Sequence, residues 1–280
     1  MKKLINKPVV YLFLAVLLSL GAVLFVTACT TNPLTGQRTL ALVSNSALMA
    51  SAFTQYNQFL NENTVVRGTP EAQMVQRVGN RIKDAAEKWA ASVSQSSFLN
   101  QFEWEFNLIQ SNEINAWAMP GGKIAFYTGI LPVTRDEAGL AVVMGHEVAH
   151  VLLNHGQQRV SASLLQGLGA EGLNIFTRNQ TPQTQALALT VYGAGSTLFG
   201  TLPYSRAHEN EADEVGLLLM TIAGYNPEAA VGFWERISAL SGGGTPEFLS
   251  THPSDATRIA NIRRLIPEAR QRANTIGILP

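Results

Sequence analysis

The chain has 280 residues, 46% hydrophobic and 14% charged, with 20 basic and 20 acidic side chains. That length and apolar content allow one substantial core and exclude a disordered chain. A net charge of zero gives no reason to expect a nucleic-acid partner.

The opening residues, MKKLINKP, are basic, and VVYLFLAVLLSLGAVLFVTA after them carries no charge. Such a segment is a secretion signal or a membrane anchor and is set apart from the fold. About 20 apolar residues can span a bilayer, so length leaves the two open. The single cysteine, Cys29, follows Val26-Thr27-Ala28. This pattern resembles the lipobox of bacterial lipoproteins, in which the chain is cut before the cysteine and lipid is attached to it. The competing reading makes Cys29 one more apolar residue of a membrane helix. A lone cysteine at that place favours the lipoprotein. Thr30 after it, rather than an aspartate, resembles the outer-membrane sorting pattern. Loss of residues 1–28 removes three lysines and leaves 17 basic and 20 acidic residues. The expected organisation is a signal over 1–28, a polar, turn-rich tether over 29–43, a main domain over 44–272 and a tail over 273–280.

Helices are expected near 44–62 and 70–93, the second opening on Thr69 as N-cap with Pro70 at its first position. QFEWEFNLI (101–109) alternates as a strand does. NAWAMPGGKIAFYTGIL (115–131) reads as two extended runs around a Pro-Gly-Gly turn, and Pro120 makes the first an edge. A helix over about 134–155 follows, capped by Thr134 with Glu137 and ended by Gly156. Segments 158–176 and 183–201 look helical, and the latter is diluted by Thr, Gly, Ser and Gln, which favours a buried or lid helix over a second membrane span. Helices are expected again near 205–223, 226–240 and 254–272, with SGGGT (241–245) as a flexible joint. The architecture is therefore α+β, mostly helical, with a small sheet.

The chemistry lies in AVVMGHEVAHVLLNHG, residues 141–156. Positions four apart on a helix share a face, so His146 and His150 can hold one ion between them. Glu147 lies on the same side, in reach of a water beside that ion, and is the candidate general base. Apolar neighbours such as Val143, Val148 and Leu152 keep the site rigid and dry. Three ionisable groups on such a helix are costly to bury without a purpose. His155 is five residues from His150, faces elsewhere, and reads as a helix C-terminal histidine. A third ligand must therefore come from a distant segment. In SRAHENEADEVG (205–216), Glu209 and Asp213 are four apart on one helix face. One carboxylate can ligate and the other can orient a ligating imidazole; spacing alone does not single out Glu209. His208 lies on a different face and reads as structural.

HEVAH followed some 60 residues later by SRAHENEAD resembles the zinc metallopeptidases of family forty-eight. Their pattern, H-E-x-x-H with a later E-x-x-x-D, falls on His146, Glu147, His150, Glu209 and Asp213, which makes Glu209 the third ligand. NPLTGQR, NAWAMPGGKIAFYTGIL and THPSDATRI also resemble family segments. The resemblance implies a zincin (gluzincin) metallopeptidase domain, one zinc ion per chain and hydrolysis of peptide bonds with Glu147 as base. The chain lacks the multiple transmembrane helices of the HtpX and CAAX prenyl protease branches and resembles the lipoprotein branch, without the tetratricopeptide repeats some of its members carry.

On this reading an extended or unfolded polypeptide adds itself along the edge strand near 115–119. The oxyanion needs a second stabiliser, for which His252, Arg258 and Tyr204 are candidates. His252 can instead fill the metal's open position in a resting state, as the resemblance to the lipoprotein branch suggests. Against these stand plainer readings: a helix start at Thr251-His252-Pro253 and a surface cation at Arg258. The expected function is cleavage of misfolded or misassembled envelope proteins by a lipid-anchored enzyme facing the periplasm, its membrane contact made through Cys29. The alternative is an envelope lipoprotein chaperone or assembly factor with a latent or structural zinc site. A third reading is an intramembrane protease using residues 183–203. The oligomeric state is not legible in the sequence.

Overall fold

The computed structural model describes residues 29–177, 204–240, 246–252 and 256–277. The expected signal over 1–28, the helix over 183–201 and the joint over 241–245 lie outside the described residues. The fold is mostly helical with a small four-stranded sheet, as expected.

A hairpin of β1 (Cys29–Thr31) and β2 (Arg38–Leu40) comes first. The tether expected over 29–43 is thus partly ordered against the domain. Asn32, 2% exposed, explains why. Its Oδ1 accepts from the Leu34 and Thr35 N–H groups, and its Nδ2 donates to the Leu152 carbonyl at 2.7 Å. That carbonyl belongs to the last turn of the histidine helix, where no partner exists within the helix.

Helix α1 (Asn45–Glu62) is capped by Ser44, and α2 (Pro70–Ser92) by Thr69 with Pro70 at its first position. Between them β3 (Val65–Val66) joins the sheet, whose order is β3-β4-β6-β5. Strand β4 (Glu105–Ile109) begins later than expected because residues 96–101 form a tight 3₁₀ turn. It runs parallel to β6 (Lys123–Tyr127), and β5 (Ala116–Met119) pairs antiparallel with β6 on its other side. Strand β5 is therefore a sheet edge, as Pro120 suggested.

The histidine helix starts later than its sequence indicated. Thr134 ends a short helix, α3 (Leu131–Thr134), and Arg135 turns the chain with φ of 69°. Asp136 then caps α4 (Glu137–Leu152), its carboxylate accepting from the Gly139 N–H at 2.8 Å. Every residue from Gly139 to Leu152 is buried. Leu140, Val143, Met144, Val148 and Leu152 are fully buried, each contributing on the order of 1.5–3 kcal/mol of apolar burial. Gly156 does not end this helix. Asn154 does, with φ of 56°, a conformation asparagine tolerates better than most residues. Helix α5 (His155–Thr177) starts at once, so His155 opens a helix instead of closing one.

Helix α6 (Arg206–Ile222), capped by Ser205, is the main neighbour of α4. Their crossing depends on two glycines. A Cβ on Gly145 would lie 2.8 Å from the Gly216 carbonyl oxygen, and one on Gly216 would lie 2.9 Å from the His146 nitrogen. The backbones touch where the two ligand-bearing helices meet. Gly216→Val is expected to cost about 1–3 kcal/mol, because only a backbone shift makes room for it. Thermal unfolding reads this directly, and a melt matching wild type would contradict the close crossing. Helices α7 (Ala229–Ala239), α8 (Glu247–Thr251) and α9 (Ala256–Thr275) complete the core. Helix α9 runs past 272, into what the sequence suggested as a tail.

Candidate metal centre

Two crossing helices and one loop converge on a small volume. His146 and His150 come from α4, Glu209 from the first turn of α6, and His252 from the residue after α8. One donor atom from each lies within 4.8 Å of the other three. All four residues are 2–3% exposed. His146 Nε2 is 3.0 Å from His150 Nε2 and 3.1 Å from His252 Nδ1. Glu209 oxygens lie 3.4 Å from both α4 imidazoles and 3.1 Å from His252 Nδ1.

Those spacings fit a metal ion. Donors at about 2.0–2.1 Å from a tetrahedral zinc stand roughly 3.3 Å apart. Four donor atoms gathered on one buried point is the arrangement a single metal ion satisfies at once. The outward nitrogens are already committed. His146 Nδ1 meets Asp213 Oδ1 at 3.0 Å and His150 Nδ1 meets His155 Nδ1 at 2.9 Å. With a proton on each Nδ1, both Nε2 atoms keep their lone pairs for the centre.

The electrostatics agree. Burial drives His150 well below its ordinary pKa, so it is a neutral imidazole, the form that ligates. Burial pulls His146 down too, but the Glu209 and Asp213 carboxylates outweigh it and raise its pKa to about 9. The carboxylates thus favour positive charge at this point, whether a proton or a cation carries it. Burial likewise works against the Glu209 carboxylate, yet the surrounding histidines hold its pKa far below the usual range.

Glu147 stands beside the cluster at the floor of a cavity of about 370 Å³. Trp117, Met119, Tyr204, Arg159 and His252 also line it, and β5 forms one wall. Burial raises the pKa of Glu147, against the pull of His252, His146 and the Ala118 backbone N–H. Its Oε1 has no hydrogen-bond partner, although His252 Nε2 is only 3.3 Å away. The separation satisfies an ion-pair distance while the angle falls short of a hydrogen bond, and angle decides. A buried, unpartnered carboxylate oxygen beside a metal cluster is where a reacting water would be held.

Two of the candidate oxyanion donors occupy different places at the cluster. His252 sits in the cluster itself, the other place that the sequence reading gave it. Arg258, 3% exposed, lies behind the cluster and does not line the cavity. Its Nε and Nη2 donate to both oxygens of Asp213 at 2.8 and 2.7 Å, and its Nη1 donates to Glu209 Oε2 at 2.8 Å. Trp234 stacks on the guanidinium at 3.4 Å. Arg258 thus bridges the Asp213 and Glu209 carboxylates. Asp213 lies against His146, whose Nδ1 its Oδ1 meets. Tyr204 stacks on His150, ring centroids 3.9 Å apart. His155 is fully buried against His150, a role that sequence spacing concealed because the turn at Asn154 points it back.

The model of Peptidase family M48 matches residues 76–266. The mitochondrial metalloendopeptidase OMA1 of Schizosaccharomyces pombe is 35% identical over 194 residues, 64% of this chain and 51% of its own length. Human metalloendopeptidase OMA1, mitochondrial, is 35% identical over 179 residues, 61% of this chain and 34% of its own. The beta-barrel assembly-enhancing protease of Escherichia coli K12 is 34% identical over 179 residues, with the same coverage of 61% and 34%. The aligned part of the chain thus spans from about a third to about half of each relative. M48 metallopeptidases are zinc-dependent, and the buried His/Glu cluster here can hold such an ion. His146, Glu147, His150, Glu209, Asp213, His252 and Arg258 all fall inside the matched stretch, and the chain belongs to peptidase family M48.

Proposed function

We propose that this chain is a zinc-dependent endopeptidase that cleaves extended or unfolded polypeptides of the cell envelope, with His252 closing its metal site at rest. The observation that carries the reading is the close-set cluster of His146, His150, Glu209 and His252, with Glu147 Oε1 unpartnered at its side. Two imidazoles and a carboxylate favour zinc among divalent ions. His146, His150, Glu209 and, at rest, His252 would hold the zinc, which would supply a Lewis acid for the scissile carbonyl and lower the pKa of an adjacent water.

The chain's own residues supply the rest. The edge of β5 offers main-chain groups to an extended peptide, which suits substrates recognised by backbone. Glu147 takes the proton of the attacking water and passes it to the leaving amine. Asp213 and Arg258 hold His146 and Glu209 in place. His252 must leave the cluster before a carbonyl can enter, and its Nε2 then faces the same cavity as Glu147.

The name of one relative, a beta-barrel assembly-enhancing protease, supports a task in envelope protein quality control, and that of another, a metalloendopeptidase, supports the activity. Among the described residues no helix is long and apolar enough to cross a membrane. The lipobox-like run before Cys29 supports membrane attachment through lipid at that residue, with the domain facing the periplasm from the outer membrane. The docked hairpin would keep the domain close to that anchor.

The expected result is one zinc per chain, with cleavage of unfolded casein lost on chelation and restored by added zinc. A second reading, an assembly factor with a latent site, is favoured by the position of His252 inside the cluster. Zinc bound without cleavage, even after His252→Ala, would replace the endopeptidase reading with that one.

A further inference from the structure

We propose that His155 is a positioning residue that sets the tautomer and aim of the His150 imidazole, with Glu211 orienting His155 in turn. The proposal rests on the metal-site reading above and concerns the side of His150 turned away from the cluster. There His150 Nδ1 lies 2.9 Å from His155 Nδ1. His155 Nε2 lies 3.1 Å from Glu211 Oε2, and Gln37 of the N-terminal hairpin donates to Glu211 Oε1 at 3.0 Å.

Proton placement follows from the ends of this line. A carboxylate can only accept, so His155 Nε2 carries the proton toward Glu211. A neutral imidazole carries one, which leaves His155 Nδ1 as an acceptor. His150 Nδ1–H is the donor that fills it, and His150 Nε2 is left with its lone pair facing His146 Nε2 and Glu209. Reverse either proton and His150 presents N–H to the cluster, where it cannot ligate.

The ring of His155 has little freedom to do otherwise. It is fully buried and stacked on His208 at 4.4 Å, while His208 Nε2–H donates to Gln158 Oε1 at 3.2 Å. The positive φ at Asn154 is what brings His155 back beneath His150. His146 and His150 are thus oriented by different chemistry. The first donates to a carboxylate tied to Arg258, the second to an imidazole whose own partner, Glu211, is one-third exposed.

The test compares zinc affinity by chelator competition in the full chain for wild type, His155→Asn, His155→Leu and Glu211→Ala. Asparagine places an acceptor oxygen near the former Nδ1, whereas leucine fills space and accepts nothing. His155→Leu is expected to bind zinc about 10–100-fold more weakly, and His155→Asn to keep most of the affinity. Glu211→Ala, at a partly exposed site that the core does not need, is expected to weaken binding several-fold without lowering the melting temperature. In ¹⁵N imidazole spectra of zinc-loaded wild type, His150 is expected as the Nδ1–H tautomer. Leucine binding zinc as tightly as wild type, asparagine losing as much as leucine, or Glu211→Ala leaving affinity unchanged would each overturn the proposal. A wild-type chain that binds no zinc would instead overturn the metal-site reading beneath it.

Discussion

Glu147→Gln is expected to lower the rate of casein cleavage by about 10²–10⁴-fold while leaving zinc content at the wild-type level. The side chain is 2% exposed and belongs to the cavity floor, not the four-donor cluster. Glutamine keeps its shape and its capacity to accept from the Ala118 N–H, but it cannot take a proton from water. Stability should hold or rise. Burial raises the pKa of Glu147, so folding favours its neutral form, and the cost of carrying the charge grows as pH climbs above the ordinary carboxylate range. A neutral amide removes that cost. Zinc analysis, a thermal melt and the cleavage assay on one preparation decide the matter. Cleavage at the wild-type rate would remove Glu147 from the reaction.

The parts of this site that could be read in advance are those written in local spacing. His146 and His150 share a face because four residues nearly complete a helical turn, and Glu209 and Asp213 do so for the same reason. Strand β5 was legible as an edge from Pro120 alone. What escaped depends on backbone conformation or distant partners. Thr134 and Asp136 are both good caps, and only the turn at Arg135, with φ of 69°, decides for Asp136. Gly156 is the commoner helix stop, yet Asn154 adopts the left-handed conformation first, and this moves His155 from a helix end to a place beneath His150. The segment after Cys29 is polar enough for a tether, but no local pattern shows that Asn32 finds the Leu152 carbonyl 120 residues away. Arg258 reads in the sequence as a surface cation or an oxyanion donor, because nothing near it in sequence reports two buried acids.

Those acids make Arg258 the second residue whose loss should be large. Arg258→Met is expected to destabilise the folded chain by about 3–5 kcal/mol in urea unfolding, as breaking a buried ion pair from one side does. Three of its hydrogen bonds end on Asp213 and Glu209, and without them two carboxylates are left facing one another out of water. Methionine keeps apolar contact with Trp234 but offers no donors. Lysine retains the charge and is expected to recover only part of the loss, since one ammonium cannot reproduce a fork that grips two oxygens of Asp213 and one of Glu209. Zinc affinity should fall along with stability, because Asp213 aims His146 and Glu209 is itself a ligand candidate. The contrast with an oxyanion role is sharp. A transition-state donor would lower the cleavage rate and leave folding and zinc content untouched, whereas a group that holds carboxylates must weaken all three together. Arg258→Met that unfolds like wild type yet cleaves slowly would return the guanidinium to the substrate side of the site.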